Sequence, residues 1–176
     1  MNAEPFAIRR AQEADMPEVG RLAATLVREH HGLDPTRFMA FPEPIEPNYQ
    51  RYLTTEIHNP QAVLLVAVDA PAGGGPGPVV GYVWGQMRGR DYMAMLDAAG
   101  CIQDVYVTQA ARRKGVARAL VGAMVEALRG LGAQRIVLDT AARNEAAQAF
   151  FRSLGFRPTM VEMMLGGDAS SDQRHA

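Results

Sequence analysis

The stretch that most restricts the fold is DVYVTQAARRKGVARAL, Asp104 to Leu120. Its apolar residues first suit a strand and then recur at helical spacing, with Val116, Leu120, Met124 and Leu128 on one stripe. A strand that hands over to a helix in this way calls for a sheet with helices packed on it. At the handover sit three cations and a glycine, Arg112-Arg113-Lys114-Gly115. A helix N-terminus presents backbone N–H groups that lack intrahelical partners, and the macrodipole adds partial positive charge there. A turn leading into it can wrap those donors around phosphate oxygens. Gly115 permits close backbone approach, Ala117 keeps the next turn small, and Arg112, Arg113, Lys114 and Arg118 add charge. A bound polyphosphate is the expectation.

The rest of the chain bounds that expectation. Its 176 residues suit one domain, expected over residues 1–165, with a polar, disordered tail from 166 to 176. A net charge of -1 argues against a general nucleic-acid binder, so the basic turn is local. No apolar run reaches the roughly 18 residues of a membrane helix, and the lone Cys101 excludes a disulfide within the chain. A cytoplasmic protein without membrane contact is expected. His30 and His31 have no carboxylate or cysteine cluster beside them, so no metal is expected, and they suit a solvated helix end.

The pattern along the chain predicts a strand at Phe6–Arg9 and a helix capped by Asp15 that ends near His30-His31-Gly32. LDPTRFMAFPEPIEP reads as a loop, followed by a short helix from Asn48 to Ile57. Ala62–Val68 and Val79–Arg88 form a hairpin across the flexible APAGGGPGP, and Cys101–Val107 is the next strand. After the basic turn come a helix that stops at Gly130 and Gly132, a strand at Arg135–Thr140, and a helix capped by Asn144 and closed by Gly155. RPTMVEMML is expected as a last strand. Its exposed apolar edge would favour a homodimer.

The triplet Val105-Tyr106-Val107, the pattern Arg112-x-x-Gly115-x-Ala117 and the block from Asn144 to Leu154-Gly155-Phe156 together resemble the GNAT superfamily of acetyl-CoA-dependent N-acetyltransferases. The close match runs from Cys101 to Phe156, and the order of elements matches over nearly the whole chain. The resemblance implies an α/β fold with a mixed, mostly antiparallel sheet of six to seven strands flanked by about four helices. It implies that Val105, Tyr106 and Val107 lie along the pantetheine arm of acetyl-CoA, and that the pyrophosphate sits on the turn and first helical residues, Arg112, Arg113, Lys114, Gly115, Val116, Ala117 and Arg118. Asn144 matches a position that often contacts the cofactor, and serves equally as a helix cap.

The implied chemistry is attack of a neutral amine on the thioester, with a base to remove the amine proton. Asp104, ahead of the apolar triplet, matches an acidic position of polyamine-type members, although the first of their acidic pair is Gln103 here. Asp139, in VLDT, matches an acidic position of ribosomal-protein members. Either can be the base. Alternation puts Asp104 on the opposite face from Val105 and Val107, unless a bulge intervenes. Many members carry a tyrosine acid seven residues after the matching Asn; here that cofactor-side position is Phe151. The acceptor is a small-molecule or peptide amine. Phe38, Phe41, Tyr49 and Trp84 with Asp34, Glu43 and Glu46 suit a cationic amine with an apolar body. Phe151 keeps open a module that binds acyl-CoA without turnover. A nucleotide-binding regulator is a third reading, although neither G-x-x-x-x-G-K-[ST] nor G-x-G-x-x-G is present.

Overall fold

The computed structural model describes residues 6–69 and 77–166. Most of the glycine-rich connection after Asp69, and the tail from 167 onward, lie outside the described residues. The chain forms two compact units, one from residues 1–24 and 44–139, the other from 25–43 and 140–176.

The first unit holds an open five-stranded sheet in the order β1 (Phe6–Arg10), β2 (Ala62–Asp69), β3 (Val79–Arg88), β4 (Ala99–Val107) and β5 (Ile136–Leu138). The first three pairings are antiparallel and β4–β5 is parallel. The unbroken apolar run of β2 is buried from Ala62 to Val68, as a strand covered on both faces must be. Helix α3 (Val116–Gly130) buries Leu120, Met124 and Leu128 completely. It lies against β3 and β4 where the strands carry glycine. A Cβ on Gly81 would stand 2.8 Å from the Tyr106 carbonyl oxygen, and one on Gly85 2.9 Å from that of Cys101. Side chains there would push the helix off the sheet. On the other face, α1 (Met16–Leu33) meets α2 (Ile45–Glu56) so closely that a Cβ on Gly20 would stand 2.9 Å from the Glu46 carbonyl oxygen.

Asp15 does not cap α1. It closes a short 3₁₀ turn, Glu13–Asp15, where it accepts the Gln12 N–H at 2.8 Å and a paired bond from Arg9 at 2.6 and 2.8 Å. The Arg9 hydrogen bonds hold its carboxyl below the usual range, against the opposing effect of burial. The helix therefore begins at Met16.

In the second unit α4 (Glu145–Ser153) begins as expected, with Asn144 Oδ1 accepting the Ala147 N–H at 3.0 Å. It ends with Gly155 at φ +91°, and Phe156 N–H donates to the Phe151 carbonyl at 3.1 Å. The expected last strand is absent: Phe156 to Gly166 pairs with no strand among the described residues, which hold five strands rather than six or seven. Pro158 supplies no ladder donor. Met160, Val161, Met163 and Leu165 are all largely exposed, and Glu162 is held by Arg37 at 2.9 Å. The homodimer expectation had leaned on that strand.

Close packing of α3 yields a paired prediction. Gly81→Ala should lower stability by about 1–3 kcal/mol through overpacking against a backbone carbonyl. Gly122→Ala, within α3 and with no neighbour inside 4 Å of its added Cβ, should raise stability by about 0.5–1 kcal/mol. Urea unfolding midpoints of both variants check this.

Candidate active site

Strand β4 loses one neighbour halfway along. It pairs with β5 only through Gly100–Ile136, Cys101–Val137 and Ile102–Leu138. Past Ile102 that side has no strand partner among the described residues, while β3 continues on the other side as far as Gly81–Val107. Where β5 stops, a bulge interrupts the β3–β4 register between Trp84 and Gly85: Gly85 faces Ile102, but Trp84 faces Asp104, so Gln103 is the extra residue. A bulge bends the strand and re-aims the residues beside it. Beyond it, Val105 and Val107 oppose Val83 and Gly81 on the α3 face. Asp104 and Tyr106 oppose Trp84 and Tyr82 on the other.

The bared edge of β4 runs into the basic turn. A 3₁₀ turn at Gln109–Ala111 is followed by Arg113 at φ +61° and Gly115 at φ +87°. Left-handed residues in a turn are a feature of anion-binding nests. Space around Gly115 is open, with nothing within 4 Å of an added Cβ, so its dihedral demands glycine rather than any crowding within the fold. The α3 ladder starts with Ala119 N–H donating to the Gly115 carbonyl at 3.0 Å, and the first-turn amides precede it. Arg112, Arg113, Lys114 and Arg118 are exposed, Val116 is buried and Ala117 half-buried. Arg112 ties the turn back to the strand: its Nε donates to the Val107 carbonyl at 3.1 Å, and its guanidinium lies 5.6 Å from the centre of the Tyr106 ring.

Asp104 is half-buried among tyrosines. The Tyr82 hydroxyl donates to its Oδ2 at 3.2 Å. Burial first, and then the Asp104 charge, raise the Tyr82 phenol well above its usual range and raise that of Tyr49 on α2. Tyr52, one helical turn further along, is raised by burial, Glu56 and Asp104. These phenols keep their protons at neutral pH, so they act as donors. The Tyr52 ring meets Trp84 edge to face, with centroids 5.5 Å apart. Tyr82 and Tyr52 were not singled out from the sequence, although the three-residue spacing of Tyr49 and Tyr52 on one helix was visible there.

Asp139 stands just past β5, exposed, with no hydrogen bond or ion pair among the described residues. Its charge reaches Cys101, whose thiol is raised mainly by burial. In the second unit Asn144 caps α4, and half-buried Phe151 packs against Phe150 and Phe156, with centroids 5.2 and 5.8 Å away. His30 Nδ1 bonds the Leu26 carbonyl at 2.9 Å and His31 Nδ1 that of Phe38 at 2.7 Å. Asp34 is engaged by Thr36 and Arg143. Among the described residues no group of His, Cys, Asp and Glu could hold a metal ion, and no helix is long and apolar enough to cross a membrane.

A profile of the acetyltransferase (GNAT) family matches residues 27–156, and the chain belongs to that family. It is 37% identical over 67 residues to N-alpha-acetyltransferase 30 of Schizosaccharomyces pombe; the matched stretch spans 38% of this chain and 39% of that relative. The fold resembles the tetramutant of a Bacillus halodurans protein (TM-score 0.75, 23% identity, covering 91% of this chain and 99% of that one). It also resembles an aminoglycoside N-acetyltransferase in complex with CoA (TM-score 0.69, 18% identity, covering 92% and 93%).

The tyrosine cluster makes Asp104 measurable without any ligand. Asp104→Asn removes a charge that disfavours phenolate at Tyr82, Tyr49 and Tyr52. In alkaline titration followed by phenolate absorbance, the latest-ionising tyrosines should therefore move to lower pH. An unchanged curve would separate Asp104 from the cluster.

Proposed function

We propose that this member of the GNAT acetyltransferase family moves an acetyl group from acetyl-CoA to a primary amine, with Asp104 as the base. The observation that carries the reading is the β4 edge bared beyond Ile102, which leads into the left-handed turn at Arg113 and Gly115. The residues present fit acetyl-CoA. An unpaired strand edge accepts an amide-bearing arm as an added strand. A helix N-terminus entered by a left-handed turn, with Arg113, Lys114 and Arg118 exposed around it, suits a pyrophosphate. Bound there, acetyl-CoA supplies an acyl carbon already activated as a thioester.

The chain's own work is on the amine. An alkylammonium has an ordinary pKa of about 10, so it arrives at neutral pH protonated and unreactive. Asp104, fixed by the Tyr82 hydroxyl, takes that proton. The freed nitrogen lone pair forms the C–N bond while the C–S bond breaks, the sulfur leaves with the electron pair as thiolate, and the new amide nitrogen sheds its second proton to solvent water. Phe151 offers no proton to the sulfur, and none is needed: a thiol of pKa about 8.5 leaves readily as thiolate. Asp139, exposed beyond β5, is the weaker candidate for base. The fission yeast relative carries an α-amine specificity in its name and the CoA-bound neighbour an aminoglycoside one, so both acceptor classes belong in a first screen.

Two measurements test this. Gly115→Glu places bulk and negative charge where phosphate belongs, and should abolish CoA binding in calorimetry; a folded variant that keeps wild-type affinity overturns the site. With one active amine, Asp104→Asn should slow thiol release roughly 10²–10⁴-fold, most at lower pH where fewer amines are neutral. Asp139→Asn should stay within a few-fold. The opposite order would move the base to Asp139, and CoA binding without thiol release for any amine would leave a binding module.

A further inference from the structure

We propose that Tyr49, Tyr52 and Trp84 form, with Asp104, the subsite that selects the acceptor, and that it takes a monoamine with an apolar body and a carbonyl beside the amine, as in a peptide α-amine on an apolar first residue. The proposal rests on the acetyltransferase reading above and adds what that reading leaves open, the acceptor's chemical class.

Three observations converge on it, all within the first unit. Placement comes first: the bulge sets Trp84 directly opposite Asp104, and the Tyr52 ring packs on Trp84. Tyr49 and Tyr52, on one helix, both feel the Asp104 charge. Tyr52 remains 47% exposed, so the cluster opens to solvent along α2.

The second observation is an unmet donor. Trp84 is 7% exposed, yet its buried Nε1 has no hydrogen-bond partner among the described residues. A buried donor of this kind calls for an explanation, and an acceptor atom on a ligand supplies one. An amino-acid or peptide α-amine carries a carbonyl oxygen three bonds from its nitrogen. A linear polyamine carries none.

Charge is the third. Aromatic faces beside one carboxylate hold a single cation and an apolar group well. A polycation needs a carboxylate for each further charge. Glu56 is the other acid whose charge reaches Tyr52, and its Oε2 already accepts from Asn59 at 3.0 Å.

Trp84 is the only tryptophan of the chain, so its emission reports on this subsite alone and needs no turnover. The full chain is titrated with phenylalanine amide, with N-acetylphenylalanine amide, with spermidine and with kanamycin. A saturable emission change with phenylalanine amide is expected. The blocked amide, spermidine and kanamycin should each need at least about ten-fold more, the factor that one lost contact of ~1.4 kcal/mol produces. Tyr52→Leu, at an exposed position, and Asp104→Asn should each weaken the phenylalanine amide titration by a similar factor with the circular dichroism spectrum intact. If no amine moves the emission, the subsite lies elsewhere, and amine-dependent thiol release in the same preparation would show that the acetyltransferase reading stands without it. Tighter binding of spermidine or kanamycin overturns the ligand class. Saturable phenylalanine amide binding with no CoA binding overturns the acetyltransferase reading and upholds the amine subsite.

Discussion

The seat of α3 on the glycine-bearing face of β3 and β4 is the constraint that the rest of the first unit depends on. Leu120, Met124 and Leu128 are fully buried there because Gly81, Gly85 and Gly100 leave the sheet surface bare beneath them. Residues 108–115 join β4 to the first residue of that helix, through the 3₁₀ turn at Gln109–Ala111 and the left-handed residues Arg113 and Gly115.

The bulge divides the work of β4 between its two faces. A continuous ladder would have kept Asp104 opposite the neighbour of Trp84 and changed which side chains share its face. The extra residue at Gln103 instead lines up Tyr82, Trp84, Asp104 and Tyr106. The valines at 83, 105 and 107 stay toward α3, where Val83 and Val107 belong to the core and Val105 is half-buried. A carboxylate inside an apolar strand is costly unless it is hydrogen-bonded, and the Tyr82 hydroxyl meets part of that need.

Much of this was legible in the residues. The α3 stripe, the apolar run of β2 and the Asn144 cap each express one local rule, and local rules survive into the fold. The expected strand after Phe156 failed because a strand needs a partner as well as apolar residues, and a partner is not a local property. The expected Asp15 cap failed for a similar reason: Arg9, on another element, bound the carboxylate first. In the site, the basic turn announced itself through its cations and its glycine. The company of Asp104 did not, because the residues that face it depend on a register shift that no single strand encodes.

The methionines carry a consequence of a different kind. Of 10 in the chain, Met39, Met93, Met95, Met160, Met163 and Met164 are between 52% and 92% exposed, whereas Met16 and Met124 are at 1% or less. Peroxide therefore meets the outer thioethers first and turns them into polar sulfoxides. Modification there wets an apolar surface and leaves the core under α3 untouched, so the protein can take up several oxygen atoms as a sacrificial coat before its packing is at stake.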